Sequence, residues 1–136
     1  MRTFTEAEVE YLNKGLLGRL ATVGNDGRPH VVPLGVFYDP ETEAIVIGGY
    51  AGTNMAACKK FRDAQRHPYV AVVIDDPVAF IEIRGHAETH TEGGEEIGKR
   101  ITDTMPFDPA WIVIRPRRIL TMGVNTTSDE LMARDV

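Results

Sequence analysis

The sequence predicts a mainly β domain, with six or seven short antiparallel strands wrapped into a small closed or nearly closed barrel and one substantial helix inserted. Three observations predict it. Apolar and polar residues alternate along several short segments, residues 19–23, 69–75 and 79–89 among them. Strong turn chemistry separates the first segments, in Gly24-Asn25-Asp26-Gly27 and Asp39-Pro40-Glu41-Thr42. Most connections are too short to hold the helical crossover that a parallel sheet requires. The 136 residues fit one domain, 1–136, with no linker, repeat or low-complexity stretch.

The elements follow in chain order. Thr5 and Glu8 form the S/T-x-x-E capping box of a short first helix, with Val9, Leu12 and Leu16 inward and a stop near Gly15. Residues 19–23 and 28–38 make a hairpin. Pro29 and Pro33 lie within its second strand, where the missing N–H marks an edge, a bulge or a wall facing a ligand. Residues 44–48 form the next strand. Asn54 to Arg66 is the substantial helix, capped by Thr53 or Asn54 and ended by His67-Pro68. Strands follow at 69–75 and 79–89, then a surface helix over 92–101. The last strands are 111–114 and 118–124. Residues 125–136 are polar and are expected to fray as a flexible tail.

Bulk composition sets limits on function. Twenty Asp and Glu against 15 Lys and Arg give a net charge of −5, which argues against general binding to nucleic acid. The longest apolar runs fall short of the roughly 18 residues that cross a bilayer, and the N-terminus lacks a signal-peptide stretch. A single cysteine, Cys58, permits no internal disulfide; a reducing, cytoplasmic setting is the expectation. His86 and His90 lie four apart on a strand without a completing carboxylate motif, so no metal site is assigned. Nothing matches a nucleophile elbow, a Walker loop or a dinucleotide fingerprint.

Two stretches stand out. Against the acidic whole, Lys59, Lys60, Arg62 and Arg66 crowd one helix, just after Gly48, Gly49 and Gly52. Basic side chains and free backbone N–H groups at a loop-to-helix junction suit an anion such as a phosphate. A solvated charged face, partly balanced by Asp63, explains the same residues about as well. The second stretch is His30, Val31, Val32 and Pro33. A flat wall for a planar heterocycle is one reading; an edge strand that its prolines keep from aggregating is the simpler one.

In sequence order these stretches resemble a known family. The carrying motifs are GRLATVGNDGRPHVVP, residues 18–33, and KKFRDAQRHPYVAV, residues 59–72, with EIRGHAE and IRPRRILTMG further on. The chain looks like the split β-barrel flavin and deazaflavin oxidoreductases, the pyridoxamine 5′-phosphate oxidase superfamily, and most like its short coenzyme F-420-dependent branch. The resemblance implies an antiparallel split β-barrel of the FMN-binding type. It implies that Lys59 and Lys60 grip the cofactor phosphate, with Cys58 where a serine is usual. It places His30, Val31, Val32 and Pro33 behind the ring, and Gly48 and Gly49 toward the ribityl chain. Met122 stands where many relatives carry a tryptophan on the partner side of the ring pocket. Homodimers with two cofactor sites at their interface are the family habit.

The implied activity is hydride transfer from coenzyme F-420 to a small conjugated substrate. FMN is the alternative cofactor; FMN-bearing relatives tend to carry arginine and lysine where His30 and Gly35 stand here, which favours the deazaflavin. A non-catalytic cofactor carrier is the other alternative. The segments that shape the pocket of true pyridoxamine phosphate oxidases are missing, the loop 49–54 looks longer than usual, and no residue is assigned as a catalytic acid.

Overall fold

The computed structural model describes residues 2–136. The first helix, α1 (Glu6–Leu12), carries the expected capping box: Glu8 N donates to Thr5 Oγ1 at 3.1 Å and Thr5 N to Glu8 Oε1 at 3.0 Å. Eight strands follow rather than six or seven. They are β1 (Leu17–Val23), β2 (Pro29–Gly35), β3 (Phe37–Asp39), β4 (Ala44–Tyr50), β5 (Tyr69–Asp76), β6 (Ala79–His90), β7 (Phe107–Met122) and β8 (Leu131–Asp135). Between β4 and β5 lie a 3-10 turn, Met55–Ala57, and helix α2 (Lys59–Arg66); α3 (Gly94–Ile101) joins β6 to β7.

All pairings are antiparallel, in the order β2-β1-β5-β6-β7-β4-β3, with β8 on the free side of the second half of β7. The ladder does not close. Its two edges, β2 and β3, are consecutive in the chain and meet at the single residue Val36. The expected strand over 28–38 is therefore two strands at opposite ends of the sheet, and the barrel is shut by covalent chain instead of hydrogen bonds. Val36 is buried against Gly18, where an added Cβ would lie 2.4 Å from Val36 Cγ2.

Inside the barrel Leu20, Ile45, Ile47, Ile74, Ile81, Ile83, Ile112, Ile114 and Ile119 are fully buried, Phe61 enters from α2, and Phe4 from the N-terminus. The strand predicted at 111–114 and the one at 118–124 are a single 16-residue strand. It continues because Arg117 is bulged out, between the pairs Gly85↔Pro116 and Arg84↔Arg118. Gly85 is required there, since a Cβ would meet the Arg115 carbonyl oxygen at 2.3 Å.

The tail is ordered too, contrary to the expected fraying. Residues 131–135 pair with residues 118–122 of β7, and Arg134 reaches α1. Among the described residues no helix is long and apolar enough to cross a membrane.

Helix α3 is tied to β3 by a forked ion pair. Arg100 Nη1 and Nη2 lie 2.7 and 2.8 Å from the two oxygens of buried Asp39. Arg100, aided by bonds from Thr42 and the Glu41 N–H, holds the Asp39 carboxyl down at about 2. A depressed carboxylate contributes stability above its unfolded value of 3.8 and loses it as pH falls toward 2. Asp39→Asn is accordingly expected to cost about 2 kcal/mol at neutral pH and to flatten the acid limb below pH 4 in denaturant titrations.

Candidate functional site

The N-terminus of α2 has neither a side-chain cap nor an acidic residue in its first turn. The predicted helix over 54–66 is broken: Asn54 takes a left-handed backbone (φ 54°), the 3-10 turn follows, and Cys58 is extended before α2 starts at Lys59. The break has a cause. The 3-10 turn is fastened to β7, with Met55 N donating to Asp108 Oδ2 at 3.3 Å and the Met55 side chain fully buried. Cys58, at the N-cap position, offers no side-chain bond to the helix; its Sγ lies 3.8 Å from Asn54 O. The first-turn N–H groups of α2 thus have no helical partner and no cap, and no acidic residue stands in that turn. The contrast is with α1, which has both.

The two lysines of this turn are not equivalent. Lys59 Nζ lies 3.2 Å from Asp63, one helical turn on, and close over Gly24 in the β1–β2 turn, 3.0 Å from where a Cβ would stand. Asp63 is buried and also accepts from Thr22 Oγ1 at 3.0 Å. Burial pushes the Asp63 carboxyl up, but the bonds from Lys59 and Thr22 and the nearby charges of Lys59 and His30 outweigh it, so it stays below the ordinary range. Lys60 forms no ion pair among the described residues, nor do Arg62 and Arg66. His30 pairs with Thr22 across the hairpin. The structure therefore brings Lys59, Asp63 and His30 to one end of β1 and β2, with Lys60 next to Lys59 in the first turn of α2. Thr22 and Gly24 complete that end, and neither was singled out from the sequence; the i,i+4 spacing of Lys59 and Asp63 was the available signal.

Strand β2 alternates cleanly. His30, Val32 and Leu34 are half-buried, while Pro29, Val31 and Pro33 turn outward, Val31 being 64% exposed. Both prolines lie on the edge strand, where the missing N–H costs no ladder bond. At the far end of β2, about 20 Å from Pro29 at strand rise, Gly35 borders a groove of about 460 Å³ walled by Leu16, Phe37, Tyr38 and Met105.

Met122 also lies on the outer face, between Phe80 and Leu131 in the register. Gly48 and Gly49 are accounted for by packing: a Cβ on Gly48 would meet the Phe107 ring at 2.3 Å, and one on Gly49 would meet Met55 Cβ at 2.8 Å. Gly49 thus packs beneath the turn that leads to Lys59, and Gly48 beneath the Phe107 ring.

A family model described as pyridoxamine 5′-phosphate oxidase matches residues 4–125. The chain belongs to the pyridoxamine 5′-phosphate oxidase family. A relative from Streptomyces rimosus, a 5a,11a-dehydrotetracycline/5a,11a-dehydrooxytetracycline reductase, is 37% identical over 141 residues, covering 98% of this chain and 93% of its own. Among solved structures, an F-420 reductase is 25% identical with a TM-score of 0.62, over 81% of this chain and 93% of that one. A pyridoxamine 5′-phosphate oxidase-related, FMN-binding protein from Nostoc punctiforme shares the fold, with a TM-score of 0.62 at 11% identity over 94% and 90% of the two chains. The split barrel of the family is the architecture described above, with the split at Val36.

Proposed function

We propose that this oxidoreductase of the pyridoxamine 5′-phosphate oxidase family is a deazaflavin-dependent reductase, binding coenzyme F-420 and reducing a small conjugated organic substrate. The observation that carries the reading is the uncapped start of α2, whose Lys60 has no ion pair among the described residues, close to the turn that leads into a strand whose prolines face outward. The residues fit such a group. Lys59, Lys60 and the first-turn N–H groups would hold its phosphate. Residues 30–33 would back its ring. Bound there, the coenzyme supplies the hydride. The chain supplies the anion grip, a wall that orients the ring and an apolar groove at the Gly35 end of β2 that admits substrate. The S. rimosus relative reduces a dehydro compound, which supports an unsaturated substrate.

The active form in this reading is a homodimer. Leu17, Val31 and Tyr69 stand more than half exposed on one outer sheet face, with Val23, Phe80, Met122 and Leu131. Charges on that face, Arg19 with Asp75, Arg84 with Glu82 and Arg118 with Asp135, are already paired within the chain. A second copy covering the face would strand none of them. Val31, Pro33 and Met122 share it, so both copies would contribute to each ring pocket.

Fluorescence titration of purified protein with coenzyme F-420 and, separately, FMN tests the reading. Saturable F-420 binding is expected, weakened roughly ten- to hundredfold by Lys60→Ala, as for loss of a charge-assisted contact. Tight FMN binding without an F-420 response would overturn it in favour of a flavoprotein. F-420 binding with no turnover of an enone or quinone by the reduced coenzyme would make the protein a carrier.

A further inference from the structure

We propose that Asp63 is a positioning residue that gives the two lysines different tasks. It holds Lys59 in place, charge-neutralised, as a fixed hydrogen-bond donor over the β1–β2 turn, and so leaves Lys60 as the cation that attracts the acid group of the ligand. This division rests on the cofactor reading above and deepens it.

The geometry is specific. Both Asp63 oxygens are used: one receives the Thr22 hydroxyl at 3.0 Å, and both receive Lys59 Nζ at 3.2 Å. Asp63 has only 8% of its side chain exposed, whereas Lys59 keeps half of its own in water. The carboxylate has no other cationic partner on its own helix among the described residues. A buried carboxylate with one ammonium for company fixes that ammonium, because releasing it would leave the charge unpaired in a dry site. An ammonium has three protons. With Asp63 as its hydrogen-bond partner, the ammonium keeps donor capacity for a ligand beside Gly24.

The electrostatic consequence separates the lysines. Lys59 and Asp63 sum to zero charge, so seen from a distance the pair attracts an anion weakly. Lys60 has no carboxylate partner among the described residues. Replacing Lys60 should therefore flatten the salt dependence of cofactor binding, while removing Lys59 and Asp63 together, which leaves the local charge unchanged, should not. Replacing Asp63 with asparagine keeps the shape and the Thr22 bond but frees the Lys59 charge.

Coenzyme F-420 titrations of wild type, Lys60→Met, Asp63→Asn and the Lys59→Met, Asp63→Asn double variant between low and high salt read this directly. Lys60→Met is expected to lose most of the salt dependence. The Lys59→Met, Asp63→Asn double variant is expected to retain it, and Asp63→Asn alone to steepen it, with affinity at low salt raised several-fold. Equal flattening by Lys60→Met and by the double variant, or an unchanged salt profile in Asp63→Asn, would overturn the division. A double-mutant cycle of Lys59→Met and Asp63→Asn on ligand-free unfolding checks the pairing without any cofactor. Coupling of roughly tenfold or more in the unfolding constant is expected, and none would overturn the positioning role. Failure of the wild type to bind either cofactor, with the coupling intact, would sink the cofactor reading and the division of labour, and leave Asp63 a structural residue.

Discussion

Arg134→Ala is expected to destabilise the protein by about 3 kcal/mol at neutral pH, lowering the melting temperature by roughly 10 °C. Glu8 lies fully buried beneath the first turn of α1. Its two oxygens accept Arg134 Nη2 and Nη1, both at 2.7 Å, together with Asn125 Nδ2 at 2.8 Å and the Thr5 N–H at 3.0 Å. Arg134 also donates to Thr3 O at 2.9 Å, so one guanidinium fastens β8 to the N-terminus and α1. Burial alone would raise the Glu8 carboxyl; Arg134, Asn125 and Thr5 bring it below its ordinary value. The native pair thus contributes stability above pH 4.5 and loses it as pH falls. Without Arg134 the sign reverses. Burial then dominates, Glu8 prefers its proton, and the penalty is largest at pH 7 and shrinks toward pH 5. Because Arg134 keeps 37% of its side chain in water, the loss belongs at the lower end of the range for a broken buried pair. Glu8→Gln combined with Arg134→Met should recover most of it. A pH-independent loss in Arg134→Ala would mean that the strand, not the charge, holds the tail.

That clamp shows where the sequence was opaque. The capping box of α1 is a four-residue pattern and was legible. Nothing local in residues 125–136 signals a strand, since Arg134 finds its reason for order 126 residues away. The same limit explains Val36. Residues 28–38 alternate as one strand, and only the pairing of β2 with β1 and of β3 with β4 shows that the chain changes edges there. The basic helix was legible as a charge cluster, and its family motif gave it a role. That Lys59 is paired and Lys60 is not depended on the burial of Asp63, which a polar residue on a charged helix does not announce. Of the readings the two prolines leave open, edge, bulge or wall, the pairing shows β2 at an edge, and which of its residues face out follows from the two-residue period.

Gly48→Ala is the second large effect, and it tests what this glycine is for. The notional Cβ falls 2.3–2.5 Å from three ring atoms of Phe107. Phe107 is 2% exposed, tilted against Phe37 at 5.3 Å between centroids, and its ring also fills the space over Gly98. The ring has no free direction, so the methyl group forces a shift of β4 or of Phe107. Overpacking of this kind costs about 1–3 kcal/mol, and a rigid aromatic neighbour places this site at the upper end. The backbone conformation adds no strain, because Gly48 does not lie among the glycines with positive φ. Relief should therefore come from the neighbour: Phe107→Leu, destabilising alone, is expected to be less so in the presence of Gly48→Ala. If Gly48 instead serves to let a cofactor chain approach β4, Gly48→Ala would weaken coenzyme binding with little change in the melting temperature of the ligand-free protein. The two outcomes separate cleanly, since packing against Phe107 is a property of the empty barrel and approach of a ligand is not.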